Sequence, residues 1–260
     1  MSDEPVRGRR TALRAATSDA FGAVTLTVAI ILTNYRRPWN MPRILAECLR
    51  SARSPEIFLI DNGEDQALEG SPAIPFDRIT YLRSPRNLGS PYRFQVAASF
   101  AHDIIVVIDD DIILAASQID RLIGLFEGDP DRVHGIWGQE CRVIEGELRN
   151  RSGITRVTRE VEILNRVYAC KPAHARAAIA LSRRLGYASW DAISSQEDVL
   201  LSYAAPKKPM CHDLGPIEDC PTSNDPQIAV WLRPGFIDTR RKMVLALEEL
   251  QAREGRPRAS

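Results

Sequence analysis

Three consecutive carboxylates, Asp109-Asp110-Asp111, follow five β-branched apolar residues, Ile104-Ile105-Val106-Val107-Ile108. A continuous apolar run of this kind reads as a strand buried on both faces. Adjacent anions repel one another. A single Asp suffices to cap a following helix, so three of them ask for a compensating cation. Hard divalent ions such as Mg²⁺ or Mn²⁺ take carboxylate oxygens and leave positions open for phosphate. A second acidic pair, Glu197-Asp198, stands where a helix over Val199 to Ala204 is expected to begin. Acids there can simply offset the helix dipole. Facing the first cluster across a cleft, they could instead activate an acceptor hydroxyl or stabilise positive charge on a sugar.

The elements that must position these groups can be read in order. Val24 to Thr33 is expected as the first strand, ending in Thr33-Asn34 with Arg36 close behind. A helical pattern after Asn40 carries Ile44, Leu45, Cys48 and Leu49 on one face. Glu56 to Ile60 is the second strand, ending in Asp61-Asn62, and Arg78 to Leu82 the third. Asn87 lies in the next loop, and Arg93 in a helix from about Tyr92 to Phe100. Strand, helix and strand form a βαβ unit, which implies a parallel sheet with right-handed crossovers. The polar residues at successive strand ends then share one edge, the place where open α/β sheets bind ligands. The inventory suits a nucleoside diphosphate. Asp61 could accept from a base N–H or a ribose hydroxyl, and Arg36 and Arg93 could hold phosphate through charge-assisted bonds. The glycine fingerprint of dinucleotide sites and the P-loop are both absent from the sequence.

Further along, helices are expected over Gln118 to Phe126, His174 to Leu185 and Phe236 to Arg253. Strands are expected over Val133 to Val143 and Val161 to Ala169, with a hairpin turn at Glu145-Gly146-Glu147. Lys207 to Pro226 mixes Pro, Gly, Asp and Cys and reads as a mobile loop. The expected organisation is one α/β domain over 23–253 with a mostly parallel central sheet flanked by helices. A nucleotide half covers about 23–130 and an acceptor half about 131–253, between a loose arm (1–22) and a tail (254–260). His212 reads as a plain loop residue, Arg240-Arg241-Lys242 as a solvated basic helix face, and Trp137 as core. Trp190 and Trp231 are candidates for stacking on a sugar ring, weighed against ordinary core packing.

Lysine plus arginine equals aspartate plus glutamate at 34 each, so no overall field points to nucleic acid or a membrane surface. The five cysteines are scattered without a C-x-x-C pair, which suggests reduced thiols and a cytoplasmic setting. No stretch approaches the roughly 20 apolar residues of a membrane helix.

The order strand–Thr33-Asn34-Tyr35-Arg36-Arg37-Pro38, strand–Asp61-Asn62, Asn87-Leu88-Gly89, strand–Asp109-Asp110-Asp111 and a late Glu197-Asp198 resembles the GT-A glycosyltransferases. Within them the chain is similar to family 2 and to the exostosin-type enzymes of family 64. The second likeness rests on Asn87 to Phe94 and on Gln196 to Tyr203. The resemblance implies metal-dependent transfer of a hexosyl or N-acetylhexosaminyl group from a nucleotide sugar, a UDP-sugar first among them. The acceptor would be a carbohydrate or another hydroxyl compound. It implies Asp111 as main ligand of Mn²⁺ or Mg²⁺ with Asp109 assisting, and Asp110 on ribose or donor sugar. Thr33, Asn34, Arg36, Asp61, Asn87 and Arg93 would line the nucleotide pocket, with Asp198 as catalytic carboxylate and Glu197 its neighbour. Glu197 departs from the exostosin-type pattern, which begins its acidic pair with Asp, and the chain from Lys207 onward matches neither family. Two rivals differ in kind. A nucleotidyltransferase of related fold would carry a glycine-rich loop after the first strand, where this chain has none. A non-catalytic nucleotide-sugar-binding module would bind without turnover.

Overall fold

Alternation along the apolar strands decides the two faces of the central sheet. In β1 (Val28–Asn34), Ala29 and Ile31 point to one core while Val28, Ile30 and Leu32 point to the other. In β4 (Ile104–Asp109), Ile105 and Val107 share the first face, and Ile104, Val106 and Ile108 the second. Side chains of successive strand residues project to opposite sides, so a strand apolar throughout must be covered on both. The computed structural model describes residues 26–63, 68–145, 147–193 and 195–255. The expected arm, the start of the first strand at 24–25 and residues 256–260 of the tail lie outside the described residues, as does Gly146 of the hairpin turn.

The parallel core is β3 (Thr80–Arg83), β2 (Glu56–Asp61), β1 and β4, in that order. The sheet continues antiparallel through β9 (Ile163–Cys170) to β6 (His134–Ile144), with β7 (Glu147–Ile154) hairpinned on β6. β10 (Met210–Cys211) and β8 (Arg159–Glu160) close the far edge. Helices α1 (Met41–Leu49) and α3 (Ala116–Gly128) cover one face. Helices α2 (Tyr92–Ser99), α4 (Pro172–Arg184), α5 (Glu197–Ala204) and α6 (Phe236–Arg253) cover the other. The mostly parallel, helix-flanked α/β sheet expected from the sequence is thus present, with antiparallel strands completing it. None of the helices among the described residues is long and apolar enough to cross a membrane.

Two features aim side chains at the carboxyl ends of β1 and β4. The β6–β9 register shifts between Gly135 and Trp137, a bulge that bends the pair. A Cβ on Gly135 would come within 2.4 Å of the Val167 carbonyl, so the close approach there requires glycine. Opposite it, Arg166 takes a left-handed φ of 67° inside β9. Such backbone in a non-glycine residue is strained and concentrates at functional sites.

The segment expected as a mobile loop, Lys207 to Pro226, is instead a strap docked at both ends. β10 pairs with β6 and β8, and β11 (Glu218–Asp219) pairs antiparallel with β5 (Ile112–Ile113). An ion pair between Arg43 and Glu218 adds a surface tie. Its proline and glycine content marks turns between short pairings, which composition alone does not distinguish from mobility.

Candidate active site

The Asp109–Asp111 run turns out of β4 into a cage of three arginines. Arg37 Nη1 donates to Asp110 Oδ1 at 2.6 Å, and its Nη2 lies 3.3 Å from Asp111 Oδ2. Arg93, at the start of α2, pairs with Asp109. Arg166 Nη2 reaches Asp111 Oδ1 at 2.9 Å and its Nη1 pairs with Asp219 of the strap. The Tyr35 backbone N–H adds a 2.6 Å bond to Asp110 Oδ2. Burial still dominates for Asp110 and pushes its carboxyl up to about 7, against the pull of Arg37. Desolvation also raises Asp109, with Arg93 opposing.

The strap seals this end. The Cys220 N–H donates to the Asp111 carbonyl at 2.8 Å, and Arg37 Nη2 donates to the Thr222 carbonyl at 3.1 Å. Asn40 Nδ2 serves both the Asp110 carbonyl (2.8 Å) and Thr222 Oγ1 (3.0 Å).

The second acidic pair lies beside the first, at the start of α5. Arg93 joins them. Its Nη2 donates to Glu197 Oε1 at 2.9 Å while Nη1 holds Asp109. Burial raises the Glu197 carboxyl, with Arg93 pulling the other way, and no hydrogen bond of ordinary geometry reaches its Oε2. Asp198 is held by Arg240 of α6 through Nη1 to Oδ1 (3.1 Å) and Nη2 to Oδ2 (2.7 Å). The remaining Arg240 bonds go to Gln139 (2.9 Å), Gln196 (2.9 Å) and Asn165 (3.0 Å). A guanidinium has five N–H groups, and these contacts use every one.

The other residues expected at the nucleotide pocket divide into two groups. Asp61 is wholly buried, and its oxygens accept from Asn34 Nδ2 (2.8 Å), Tyr81 Oη (2.6 Å) and the Leu68 N–H (2.9 Å). It therefore builds the strand edge from beneath and offers no exposed oxygen. Asn34, equally buried, also accepts from the Arg37 N–H at 3.2 Å. Thr33 Oγ1 is buried without a partner. Asn87 is exposed at the rim, where its Oδ1 accepts from Asn62 Nδ2 (3.0 Å) and the Gly89 N–H (2.8 Å). Arg36 is exposed with its guanidinium 6.0 Å from the Tyr35 ring centre, and the arginine buried against the cluster is its neighbour Arg37.

Three expectations are corrected. Arg240 is not on a solvated face but is 2 % exposed, because it falls in register with Met243, Val244 and Leu247 on the buried side of α6. His212 is not a plain loop residue. It is buried, with Nε2 2.8 Å from His134 Nδ1. Trp137 is only half-buried, its ring 4.7 Å from the Arg166 guanidinium carbon, so it supports the site and not the core. Of the other tryptophans, Trp190 is buried with its indole N–H on the Pro91 carbonyl at 2.7 Å, and Trp231 is 53 % exposed. Sequence reading gave Arg37 and Arg166 no role and placed Arg240 on the wrong face. The signal for Arg166 was Asn165-Arg166 interrupting an otherwise apolar strand. For Arg240 it was a cation at an apolar helical position.

The donor set can be tested against a divalent cation. Asp109 and Asp111 keep 24 % and 14 % side-chain exposure, more than Asp110 at 6 %. Among the described residues no three His, Cys, Asp or Glu side chains converge to cage a metal. One or two carboxylates with the other positions left to phosphate and water is the usual arrangement for Mg²⁺ on a nucleotide. The residues fit a cation that arrives with a diphosphate.

A family model described as glycosyl transferase family 2 matches residues 29–180. The crystal structure of GalNAc-T7 with UDP, GalNAc and Mn²⁺ aligns with 88 % of this chain and 49 % of its own, at TM-score 0.56 and 11 % identity. S. aureus TarS 1–349 aligns with 86 % of this chain and 66 % of its own, at TM-score 0.55 and 12 % identity. The same TarS segment in complex with UDP aligns over 74 % and 59 %, at TM-score 0.51 and 13 % identity. This chain spans about half to two thirds of those chains, and at such identities the likeness is one of fold. No curated protein matches the sequence. The GT-A-like fold and the family-2 side of the resemblance are borne out, while the exostosin-type side stays a likeness of sequence.

Proposed function

The chain belongs to glycosyl transferase family 2, and on that premise we propose that this glycosyltransferase moves a sugar from a nucleotide-sugar donor to an acceptor hydroxyl. The expected donor is a UDP-sugar. One observation supports the reading: Arg93 binds Asp109 and Glu197 at once, so the two acidic clusters adjoin. The diphosphate would lie at the Asp109–Asp111 end and the reacting carbon toward Asp198.

In this scheme Asp111, with Asp109, would hold Mn²⁺ or Mg²⁺ beside the diphosphate. When bound, the ion supplies charge neutralisation to the departing phosphate. Arg37 and Arg93 would add charge-assisted bonds to the same oxygens. In the same scheme Asp110 would face the ribose or donor sugar, and Asn87 and Arg36 would line the rim of the nucleotide pocket. Thr33, Asn34 and Asp61 form its floor. The acceptor oxygen attacks the anomeric carbon, the bond from that carbon to the phosphate oxygen breaks, and the hydroxyl proton passes to Asp198. Among the described residues Asp198 Oδ2 accepts from Arg240 alone, which leaves it a lone pair for that proton. Glu197 holds Arg93 between the clusters.

Calorimetric titration of UDP, GDP, CDP and ADP, each with and without Mn²⁺, tests the proposal. Tight binding of one diphosphate only in the presence of Mn²⁺ supports it and names the donor class. No binding of any nucleotide under either condition would falsify it.

A further inference from the structure

Arg166 has no task in that scheme, yet its geometry is costly. It holds a left-handed φ of 67° inside a strand, and its guanidinium lies 4.7 Å from the centre of the Trp137 ring. There Nε and Nη2 approach Asp111 Oδ1 at 3.3 and 2.9 Å, and Nη2 also meets the Asp111 carbonyl at 2.9 Å. Its other end pairs with Asp219, an exposed residue of the strap. Strained backbone persists only where its surroundings over-determine it, and here they aim one cation at one carboxylate oxygen.

We infer that Arg166 is a stand-in cation. In the donor-free protein it occupies the Asp111 oxygen that a divalent ion would use, and it yields that oxygen when metal and diphosphate arrive together. The inference rests on the reading of Asp111 as the carboxylate that holds the metal. A guanidinium and a hard cation compete at Oδ1, because two positive charges at coordination distance repel in a half-buried site. Arg37 approaches Oδ2 at 3.3 Å, so a cation at the second oxygen also meets a positive charge. Metal alone must therefore displace a paired arginine. Metal with a diphosphate gives that arginine a new anion, while Asp219 keeps its far end in place. The consequence is coupling: each ligand binds better with the other, and Arg166 is the link.

The test titrates Mn²⁺ alone, then UDP in the presence of Mn²⁺, into the wild-type chain, Arg166→Gln and Arg166→Gly. Glutamine keeps the backbone strain and glycine relieves it, so the two variants fold against opposite backbone terms while both lack the guanidinium. The expected result is Mn²⁺ binding about tenfold tighter in both variants, with UDP binding about tenfold weaker. Mn²⁺ affinity equal to or below wild type in both variants overturns the inference, as does undiminished UDP affinity. Failure of UDP to bind wild type refutes the UDP-sugar donor instead, and the Mn²⁺ comparison still decides the role of Arg166.

Discussion

The two acidic clusters are neutralised by arginine in opposite ways. At the Asp109–Asp111 end, three guanidinium groups from three elements are divided among several carboxylates. Arg93 is shared with Glu197, and Arg166 with Asp219 on the strap. At the Asp198 end a single arginine, 2 % exposed, spends every N–H on four partners. A shared ion pair can exchange partners when a ligand brings new charge, whereas a saturated buried one can only be broken. The first arrangement suits a place where an anion and a cation come and go. The second suits a carboxylate that must stay in place.

The sharpest cut between the two ends separates binding from turnover. Asp111→Asn should abolish Mn²⁺-linked UDP binding, measured by calorimetry. Asp198→Asn should leave that binding intact while turnover falls by about 10² to 10⁴, the usual worth of a positioned acid or base. Full activity in Asp198→Asn would remove the catalytic assignment and leave Arg240 holding a purely structural carboxylate.

The next cut is in stability. Arg240→Met keeps much of the side-chain volume but strands Asp198, Gln139, Gln196 and Asn165 without their donor. Removing one partner of a buried pair costs about 3–5 kcal/mol, a large part of a typical domain's stability. Arg166→Gln, at a site where both carboxylates keep some access to water, should cost about 1 kcal/mol or less. Urea denaturation of both variants checks this. Equal losses would break the comparison, because the Asp109–Asp111 end would then be as rigid as the Asp198 end.

How much of this was legible depended on whether a signal was local. The parallel strands announce themselves through unbroken β-branched runs, and their polar ends through Asp61-Asn62 and Asp109-Asp110-Asp111. The first acidic cluster could be singled out because three adjacent like charges have no local explanation, whereas the helix dipole can explain the second on its own. What could not be read was which positive charge answers which carboxylate. Arg166 lies 55 residues from Asp111 and Arg240 42 from Asp198, and only the folded sheet brings them together. Arg36 and Arg37 look equivalent in sequence. The left-handed turn at Arg36, φ 60°, sends one outward and the other in. The strap was misread because pairings of two residues leave no periodicity to detect.

Acid should loosen the strap at the Asp109–Asp111 end before the Asp198 end, and this is the smallest expected effect. The strap enters through His212, whose Nε2 meets His134 Nδ1 at 2.8 Å, while His134 Nε2 meets the Asp129 carbonyl at 2.8 Å. With Nε2–H donating on both rings, the buried Nδ1 of His212 is left with no partner. Burial pushes His212 down to about 4 and also lowers His134. Neighbouring Arg132 and Lys207 oppose a further charge on His134, as Arg121 and Arg132 do on His212. Asp129 favours that charge on His134 but does not outweigh burial. The unfolded chain takes up protons below about 6.5, where imidazole ordinarily titrates. The folded chain does not until about 4 at His212. Between those values the unfolded state holds more protons, so stability present above about 6.5 is lost as pH falls toward 4. Asp110, raised to about 7, works in the other direction, stabilising the fold at low pH and losing that contribution as pH rises through 7. The diagnostic quantity is therefore the difference between wild type and His212→Gln. The variant should lose on the order of 1 kcal/mol less between about pH 7.5 and pH 5. Hydrogen exchange at the same two pH values locates the effect: in wild type the strap should open first at the lower pH, ahead of α6. Equal acceleration in strap and α6 would mean that the His pair does not fasten the Asp109–Asp111 end separately.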